Sequence, residues 1–324
     1  MDKNVSECAS SDTPSSSSGR TRLRRLFVGR DGLRAGWGAL LFVLIFAGVA
    51  AGMLFVSHRL WPLPEGDQAL SLAGAAAMEC VQLGAVAIAT AALAAIERRP
   101  LFSFGLQGDA RARRFIGGVV CGIVAISVLV LTLRQAGFLH LDAPTLQGGR
   151  AVGAGVIWAV IFLMTGLFEE TLLRGYLQYT LTRWLGFWWG ALLLSALFGA
   201  MHGIGPGETP VGLVVAMLFG LVFCLSLWYT GSLWWAIGFH AAWDWGESFL
   251  YGASDSGRLV QDVLFTSHPA GNALMSGGVT GPEGSVLVFA VLAIVAIVIR
   301  LWWRRGEASP FARRGRLAGG DPAQ

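Results

Sequence analysis

Eight apolar stretches occupy most of the sequence between residues 37 and 303, and they constrain the fold more than any other feature. They lie at approximately 37–57, 69–96, 115–137, 151–180, 186–203, 210–229, 232–251 and 284–303. Most of them reach the roughly 20 apolar residues that a helix needs to cross the hydrocarbon core of a bilayer. The sequence therefore predicts an all-α, polytopic membrane protein with about eight transmembrane helices.

The composition supports a lipid environment. Only 14% of the residues are charged and 54% are hydrophobic, whereas soluble proteins carry roughly 25% charged residues. The four cysteines show no C-x-x-C spacing, which argues against a zinc ribbon or a disulfide framework. The chain lacks the polar surface that a water-soluble protein of this size requires.

Arginines mark the predicted orientation. They cluster before the first apolar stretch, between 98 and 114, and after the last stretch, whereas the 252–283 loop holds Asp255, Asp262 and Glu283 against Arg258. Cytoplasmic loops carry the excess of Arg and Lys. The pattern predicts a multi-pass protein of the cell (inner) membrane with both termini in the cytoplasm. No arginine-aromatic groove accompanies the net charge of +4, so nucleic acid is not an expected partner.

Three regions follow from this pattern. Residues 1–36 are rich in Ser, Thr and Arg and cannot bury enough apolar surface to fold alone, so they are predicted to be a disordered, basic cytoplasmic tail. Residues 37–303 form the predicted eight-helix membrane domain. Residues 304–324 form a second basic cytoplasmic tail.

Ionisable residues inside apolar stretches are the candidate functional groups, because each costs several kcal/mol in a membrane unless it is paired or hydrated. The fourth stretch contains Glu169, Glu170 and Arg174. Glu170 and Arg174 are four residues apart, so they lie on one helix face and can form an ion pair. Glu169 points roughly 100° away from Glu170 and is free for another partner.

Two further stretches carry polar pairs at one-turn spacing. The fifth ends with Phe198 and His202, and the seventh contains His240 and Asp244. Two chemistries fit this set. Glu169, His202, His240 and Asp244 can bind a divalent metal such as zinc. Alternatively, Glu169 and His202 can deprotonate a water molecule while His240 and Asp244 stabilise an oxyanion.

The three motifs resemble those of the CPBP family of intramembrane proteases, the CAAX protease and bacteriocin-processing or Abi proteins. That family is marked by E-E-x-x-x-R, F-x-x-x-H and H-x-x-x-N or D on successive helices of a membrane bundle. Here the motifs run from Glu169 to Arg174, from Phe198 to His202 and from His240 to Asp244. The resemblance covers about residues 95–250, the predicted protease-like core, and implies a CAAX-protease-like helical bundle.

The resemblance also implies roles. Glu169 and His202 would activate water, and His240 and Asp244 would form the oxyanion site, with Glu170, Arg174 and Phe198 in support. Prenyl-protein endopeptidases of the family often have Asn where this chain has Asp244. Because an ionised Asp cannot donate a hydrogen bond, Asp244 must be protonated, orient His240 or bind metal. The cofactor is thus either none or a divalent metal such as zinc.

Alternatives stay open beside this interpretation. Glu170 and Arg174 can serve as a packing ion pair, and Glu79 as a structural residue or as part of a substrate channel. The whole chain can act as a non-catalytic membrane scaffold or bacteriocin-immunity-type protein, or as an ion or metal transporter with a carboxylate relay. The expected partners of the protease are membrane lipid and a peptide or protein substrate in the membrane. The sequence leaves open which membrane face gives access to the site.

Overall fold

The computed structural model describes residues 27–29, 32–60, 69–205, 207–303 and 311. The prediction of an all-α bundle is confirmed. In chain order the helices are α1 (Ala35–Leu60), α2 (Leu72–Glu97), α3 (Arg111–Gln135), α4 (Gly148–Glu170), α5 (Gln178–Leu185), α6 (Phe187–His202), α7 (Pro210–Thr230), α8 (Trp234–Asp244), the short α9 (Ala273–Ser276) and α10 (Val288–Trp303). Of the predicted tails, 1–36 and 304–324, the structure describes only residues 27–29, 32–36 and 311.

Several of these helices are long and apolar enough to cross a membrane. Five candidate spans meet that criterion within the described residues, and the shorter apolar helices α6 and α10 accompany them. Large apolar side chains such as Leu44, Phe55, Ile116 and Val152 are exposed on the outer faces of the bundle. Such a surface is unfavourable in water and suits lipid. The protein is therefore a multi-pass membrane protein.

The fourth apolar stretch is more irregular than the single helix predicted over 151–180. After α4 ends, Thr171–Leu177 forms a π-helical segment, and Gly175 within it has a non-helical ψ of −117°. A π-helical segment breaks the regular hydrogen bonding and redirects the chain. Helix α5 then packs beside the N-terminal part of α1 and the start of α6. A similar π-helical segment, Trp245–Leu250, extends α8.

Glycines bring α3 and α8 into close contact. A Cβ atom at Gly118 would lie 2.1 Å from the Trp235 carbonyl oxygen, and one at Gly122 would lie 2.4 Å from the Phe239 carbonyl oxygen. Small residues at a crossing let two membrane helices approach closely, and this packing replaces the hydrophobic effect that lipid does not supply. The α3–α8 contact thereby fixes the helix that carries His240 and Asp244.

The bundle has two distinguishable ends. At the first, which we call the arginine end, Arg183 Nη2 donates to Glu97 Oε1 at 3.0 Å and Trp234 Nε1 donates to the Leu106 carbonyl at 3.1 Å. It comprises residues 97–114, 183–187, 231–234 and 300–303. The opposite, loop end comprises residues 69–72, 136–147, 203–209 and 251–287, apart from the undescribed residue 206.

Short strands and hydrogen bonds hold the loop end together. The strands pair as β1 (Val28–Gly29) with β2 (Gly32–Leu33), β3 (Ala69–Leu70) with β5 (Leu259–Val260), and β4 (Leu139–Leu141) with β6 (Ser267–Pro269). The last two pairs lie at the loop end, where the Trp158 indole also donates to the Gln261 carbonyl at 3.0 Å. The long loop after α8 is thus fastened over the ends of α2 and α4.

Candidate active site

A cavity of about 570 Å³ lies inside the helical bundle, and all four residues predicted to be catalytic line it. Glu169, His202, His240 and Asp244 come from α4, α6 and α8. Most of the remaining wall is apolar and includes Trp158, Ile161, Phe162, Phe168, Leu172, Ala216 and Phe219. A few ionisable groups on an apolar wall are typical of a binding or catalytic site.

The imidazole of His240 is the centre of the polar network. Its Nε2 atom lies 3.5 Å from Glu169 Oε2 and 3.5 Å from Asp244 Oδ2. Its Nδ1 atom lies 3.2 Å from Glu170 Oε1. The Asp244 contact follows from one-turn spacing within α8, whereas the contacts with the two glutamates join α8 to α4. Three carboxylates therefore surround one ring.

Glu170 and Arg174 form the buried ion pair that their spacing predicts. Arg174 Nη1 donates to Glu170 Oε1 at 3.1 Å, and both side chains are completely buried. The guanidinium also stacks 4.5 Å from the ring centre of Phe198. Gly220 leaves room for it, because a Cβ atom there would approach Arg174 Nη2 to 2.5 Å. This pair closes the deep side of the site and orients His240 through the shared Glu170 oxygen.

His202 has a different set of contacts from His240. Its Nδ1 atom lies 2.8 Å from the Phe198 carbonyl oxygen, and its ring packs edge-on against Phe198 at 4.5 Å between centres. A carbonyl oxygen can only accept a hydrogen bond, so Nδ1 carries the proton in this contact. In the neutral ring the Nε2 atom then has a free lone pair. His202 and Glu169 line the same cavity, and no direct hydrogen bond joins these two side chains.

Three carboxylates beside the predicted catalytic residues lie close enough together to bind a metal ion. Among the described residues, the group of His, Cys, Asp or Glu whose ligand atoms all lie within 4.8 Å of one another is Glu247, Asp255 and Glu283. The oxygen ligands of three carboxylates suit a hard divalent cation. Asp255 and Glu283 line the cavity beside Asp244, so this carboxylate group borders the predicted catalytic residues.

The environment of these loop carboxylates favours their protonated forms. Burial raises the pKa of Asp255 to about 7, and repulsion from Glu283 adds to the effect. Burial likewise raises the pKa of Glu283 to about 7, although two hydrogen bonds of 2.7 Å from Ser256 oppose it. The sequence offered one signal for this group, because Glu247 follows Asp244 by three residues in an otherwise apolar helix.

Glu79 is the remaining acidic residue of the cavity wall. It comes from α2, and its Oε2 atom is buried without a hydrogen-bond partner. The sequence predicted a mainly structural role for it, with a place in a substrate channel as the alternative. Its position on the cavity wall, close to α4, fits the alternative as well as the first interpretation.

Comparison with known protein families gives one match that bears on this site. Residues 151–246 match the model of the family described as type II CAAX prenyl endopeptidase Rce1-like. Comparison with curated proteins found no significant match. The matched region contains all three motifs and the whole network around His240, and at the family level it supports a CAAX-type intramembrane protease. The predicted resemblance is thus confirmed over residues 151–246, which are similar to the Rce1-like family.

Proposed function

We propose that the chain is an intramembrane endopeptidase that hydrolyses a peptide bond of a membrane-associated or lipid-modified protein or peptide. The observation that carries this proposal is the cavity shared by Glu169, His202, His240 and Asp244 within the bundle. Helices otherwise rich in apolar residues deliver four ionisable groups to one space. Membrane proteins retain such groups where function requires them.

Glu169 and His202 are proposed to activate water. The Nδ1 atom of His202 is occupied by the Phe198 carbonyl, which leaves Nε2 as the basic nitrogen of a residue that lines the cavity. A water molecule between this nitrogen and the Glu169 carboxylate would lose its proton as it attacks the scissile carbonyl carbon. The proton would then pass to the leaving amine, so that the peptide bond breaks and both groups return to their starting states.

His240 is proposed to stabilise the oxyanion of the tetrahedral intermediate. Glu170 fixes the Nδ1 side of the ring at 3.2 Å, and Nε2 faces the cavity between Glu169 and Asp244. A ring that is protonated on both nitrogens can direct Nε2–H at a developing oxyanion. Asp244 then acts by orienting His240 and does not have to donate a hydrogen bond itself. This role accounts for an Asp at a position where an Asn would donate directly.

We propose a metal-free version of this chemistry. Each ring nitrogen of His240 faces a carboxylate oxygen at 3.2–3.5 Å, an arrangement suited to donating protons and poorly suited to offering a lone pair to a cation. A divalent ion held by Glu169 and His202 would supply an activated water instead. The two versions differ in their response to chelators.

The surroundings of the network argue against a transport relay. Below the buried Glu170–Arg174 pair, an apolar cluster that contains Phe42, Phe104 and Tyr176 fills the space towards the arginine end. Ion transport requires a chain of polar groups or water across the membrane. The cavity instead ends in the bundle, as a reaction chamber does. We further propose the inner membrane as the location, with both termini in the cytoplasm.

Substitution of the water-activating pair tests the proposal. Glu169→Gln and His202→Gln are expected to abolish cleavage while the protein still folds, and Asp142→Asn, a carboxyl-to-amide change at an exposed residue, is the matched control. Because the substrate is unidentified, new peptide N-termini in membranes from cells that express each variant are compared by mass spectrometry. A farnesylated peptide and its unmodified form, each with a fluorophore and a quencher, are assayed in proteoliposomes.

Two results would overturn the proposal. The first is a set of new N-termini that is the same for wild type and Glu169→Gln. The second is equal cleavage by the two proteins in proteoliposomes. If the Asp142→Asn control also lost cleavage, the change of an exposed carboxylate would be enough to abolish activity. The losses in Glu169→Gln and His202→Gln would then no longer support a catalytic role for those two residues.

A further inference from the structure

The rim of the catalytic cavity belongs to one end of the molecule. Its outermost lining residues are Leu70, Gly205, Ser256, Arg258, Val260 and Glu283. All of them lie at the loop end. Of the described residues that line the cavity, none comes from the segments 97–114, 183–187, 231–234 or 300–303 that make up the arginine end. Access from the aqueous phase is therefore through the loop end.

This rim is an ordered structure. Glu283 accepts two hydrogen bonds of 2.7 Å from Ser256. The backbone N–H of Gln261 donates to the Leu70 carbonyl at 3.1 Å. Thr280 Oγ1 donates to the Gly207 carbonyl at 3.0 Å. These bonds tie the loop after α8 to the starts of α2 and α7, so the rim keeps its place around the cavity.

Packing closes the opposite side. The Glu170–Arg174 pair is completely buried, and beyond it Phe104 is 4% exposed and Tyr176 is fully buried. Tyr176 also donates to Glu97 Oε1 at 2.9 Å, which fixes its ring at the arginine end. A peptide at the arginine end would have to displace these side chains before it could reach Glu169.

The charges of the two ends assign them to the two sides of the membrane. The described residues of the arginine end include Arg98, Arg99, Arg111, Arg113, Arg114, Arg183 and Arg300 against Glu97 and Asp109. The loop end carries Asp142, Glu208, Asp255, Asp262 and Glu283 against Arg258 and, at the adjoining helix ends, Arg59, Arg134 and Arg150. Because excess arginine marks the cytoplasmic side, the loop end faces away from the cytoplasm.

We propose that the catalytic cavity opens on the extracytoplasmic side of the membrane. The substrate is then a transmembrane or membrane-anchored polypeptide whose scissile bond enters from that side. A protein whose cleavage site is confined to the cytoplasm is excluded. The identity of the cavity as a catalytic chamber rests on the proposed function, whereas the direction in which it opens does not.

Cysteine labelling tests the direction without any cleavage assay. In a chain whose four native cysteines are replaced by serine, Arg258→Cys places a thiol at the exposed rim and Asp109→Cys places one at the exposed arginine end. Spheroplasts are treated with a membrane-impermeant sulfonated maleimide. We expect Arg258→Cys to react in intact spheroplasts, and Asp109→Cys to react only after the membrane is permeabilised.

The reverse pattern would overturn the proposal, and so would an Arg258→Cys thiol that reacts only after permeabilisation or denaturation. A C-terminal fusion to green fluorescent protein on the unmodified chain checks the topology without removing cysteines, because this reporter fluoresces when it lies in the cytoplasm. A dark, full-length fusion would contradict the assignment. A labelled rim in a protein without protease activity would leave the direction standing and reject the proposed function alone.

Discussion

The buried pair of Glu170 and Arg174 gives the sharpest prediction about stability. Arg174→Met keeps most of the side-chain volume and removes the charge, so Glu170 loses its 3.1 Å partner at a completely buried position. Breaking a buried ion pair from one side costs about 3–5 kcal/mol. Glu170 retains His240 Nδ1 at 3.2 Å, which favours the lower end of that range.

The loss of stacking adds to this cost. The Arg174 guanidinium lies 4.5 Å from the ring centre of Phe198, and a desolvated cation–π contact contributes about 0.5–2 kcal/mol. We therefore expect Arg174→Met to lower the free energy of unfolding by about 3–5 kcal/mol in total. The double variant Glu170→Gln, Arg174→Met removes both charges together and is expected to recover at least half of that loss.

Equilibrium unfolding in mixed micelles, followed by tryptophan fluorescence, measures these differences for the two single variants, the double variant and the wild type. The coupling free energy of the cycle is expected to exceed roughly 1 kcal/mol, because the two side chains are in contact. A cost below about 1 kcal/mol for Arg174→Met would refute the reasoning. So would a double variant whose loss equals the sum of the two single losses.

Three further predictions concern packing, pH and metal. Gly122→Ala is expected to lower the free energy of unfolding by about 1–3 kcal/mol in the same assay, because its Cβ atom would lie 2.4 Å from the Phe239 carbonyl oxygen. Gly117→Ala, whose nearest contact is at 3.8 Å, is the control and is expected to have no such effect. Equal effects of the two variants would contradict the close helix contact. The pKa values of Asp255 and Glu283 are raised to about 7, so the folded state holds protons that the unfolded state releases near pH 4. The Tm should therefore fall as pH rises from 5 to 8. Glu283→Gln should reduce this fall, and a pH profile of the Tm that is unchanged in this variant would count against the assignment. Cleavage is expected to continue in the presence of EDTA or phenanthroline, and its complete loss, restored by added zinc, would replace the metal-free scheme.

Spacing along the chain was enough to predict the polar pairs within single helices. The pairs Glu170–Arg174 and His240–Asp244 are four residues apart, and helix geometry alone brings such residues together. The apolar stretches likewise predicted the helices, because lipid selects for length and composition. Both kinds of inference depend on local sequence, and both are confirmed in the fold.

Contacts between helices could not be predicted in the same way. His240 meets Glu169 and Glu170 because α8 lies beside α4 and against the glycines of α3, and no periodicity within one helix encodes that distance. The π-helical segment Thr171–Leu177 also redirects the chain, so the depth of Glu169 in the membrane cannot be counted along a straight helix. In the sequence, the carboxylates of the 252–283 loop indicate topology alone, since nothing in their spacing shows that the loop folds back over the cavity.

The two histidines of the site illustrate why residue type alone does not assign chemistry. His202 donates a hydrogen bond from Nδ1–H to a backbone carbonyl at 2.8 Å, and this contact leaves Nε2 as a basic nitrogen. His240 has carboxylate oxygens beside both nitrogens, so the same ring is held as a donor. Their partners therefore determine which ring accepts a proton from water and which ring stabilises negative charge. A glutamine at 240 could still donate one hydrogen bond, whereas no glutamine at 202 can act as a base, so the His202 variant should be the more severely impaired of the two.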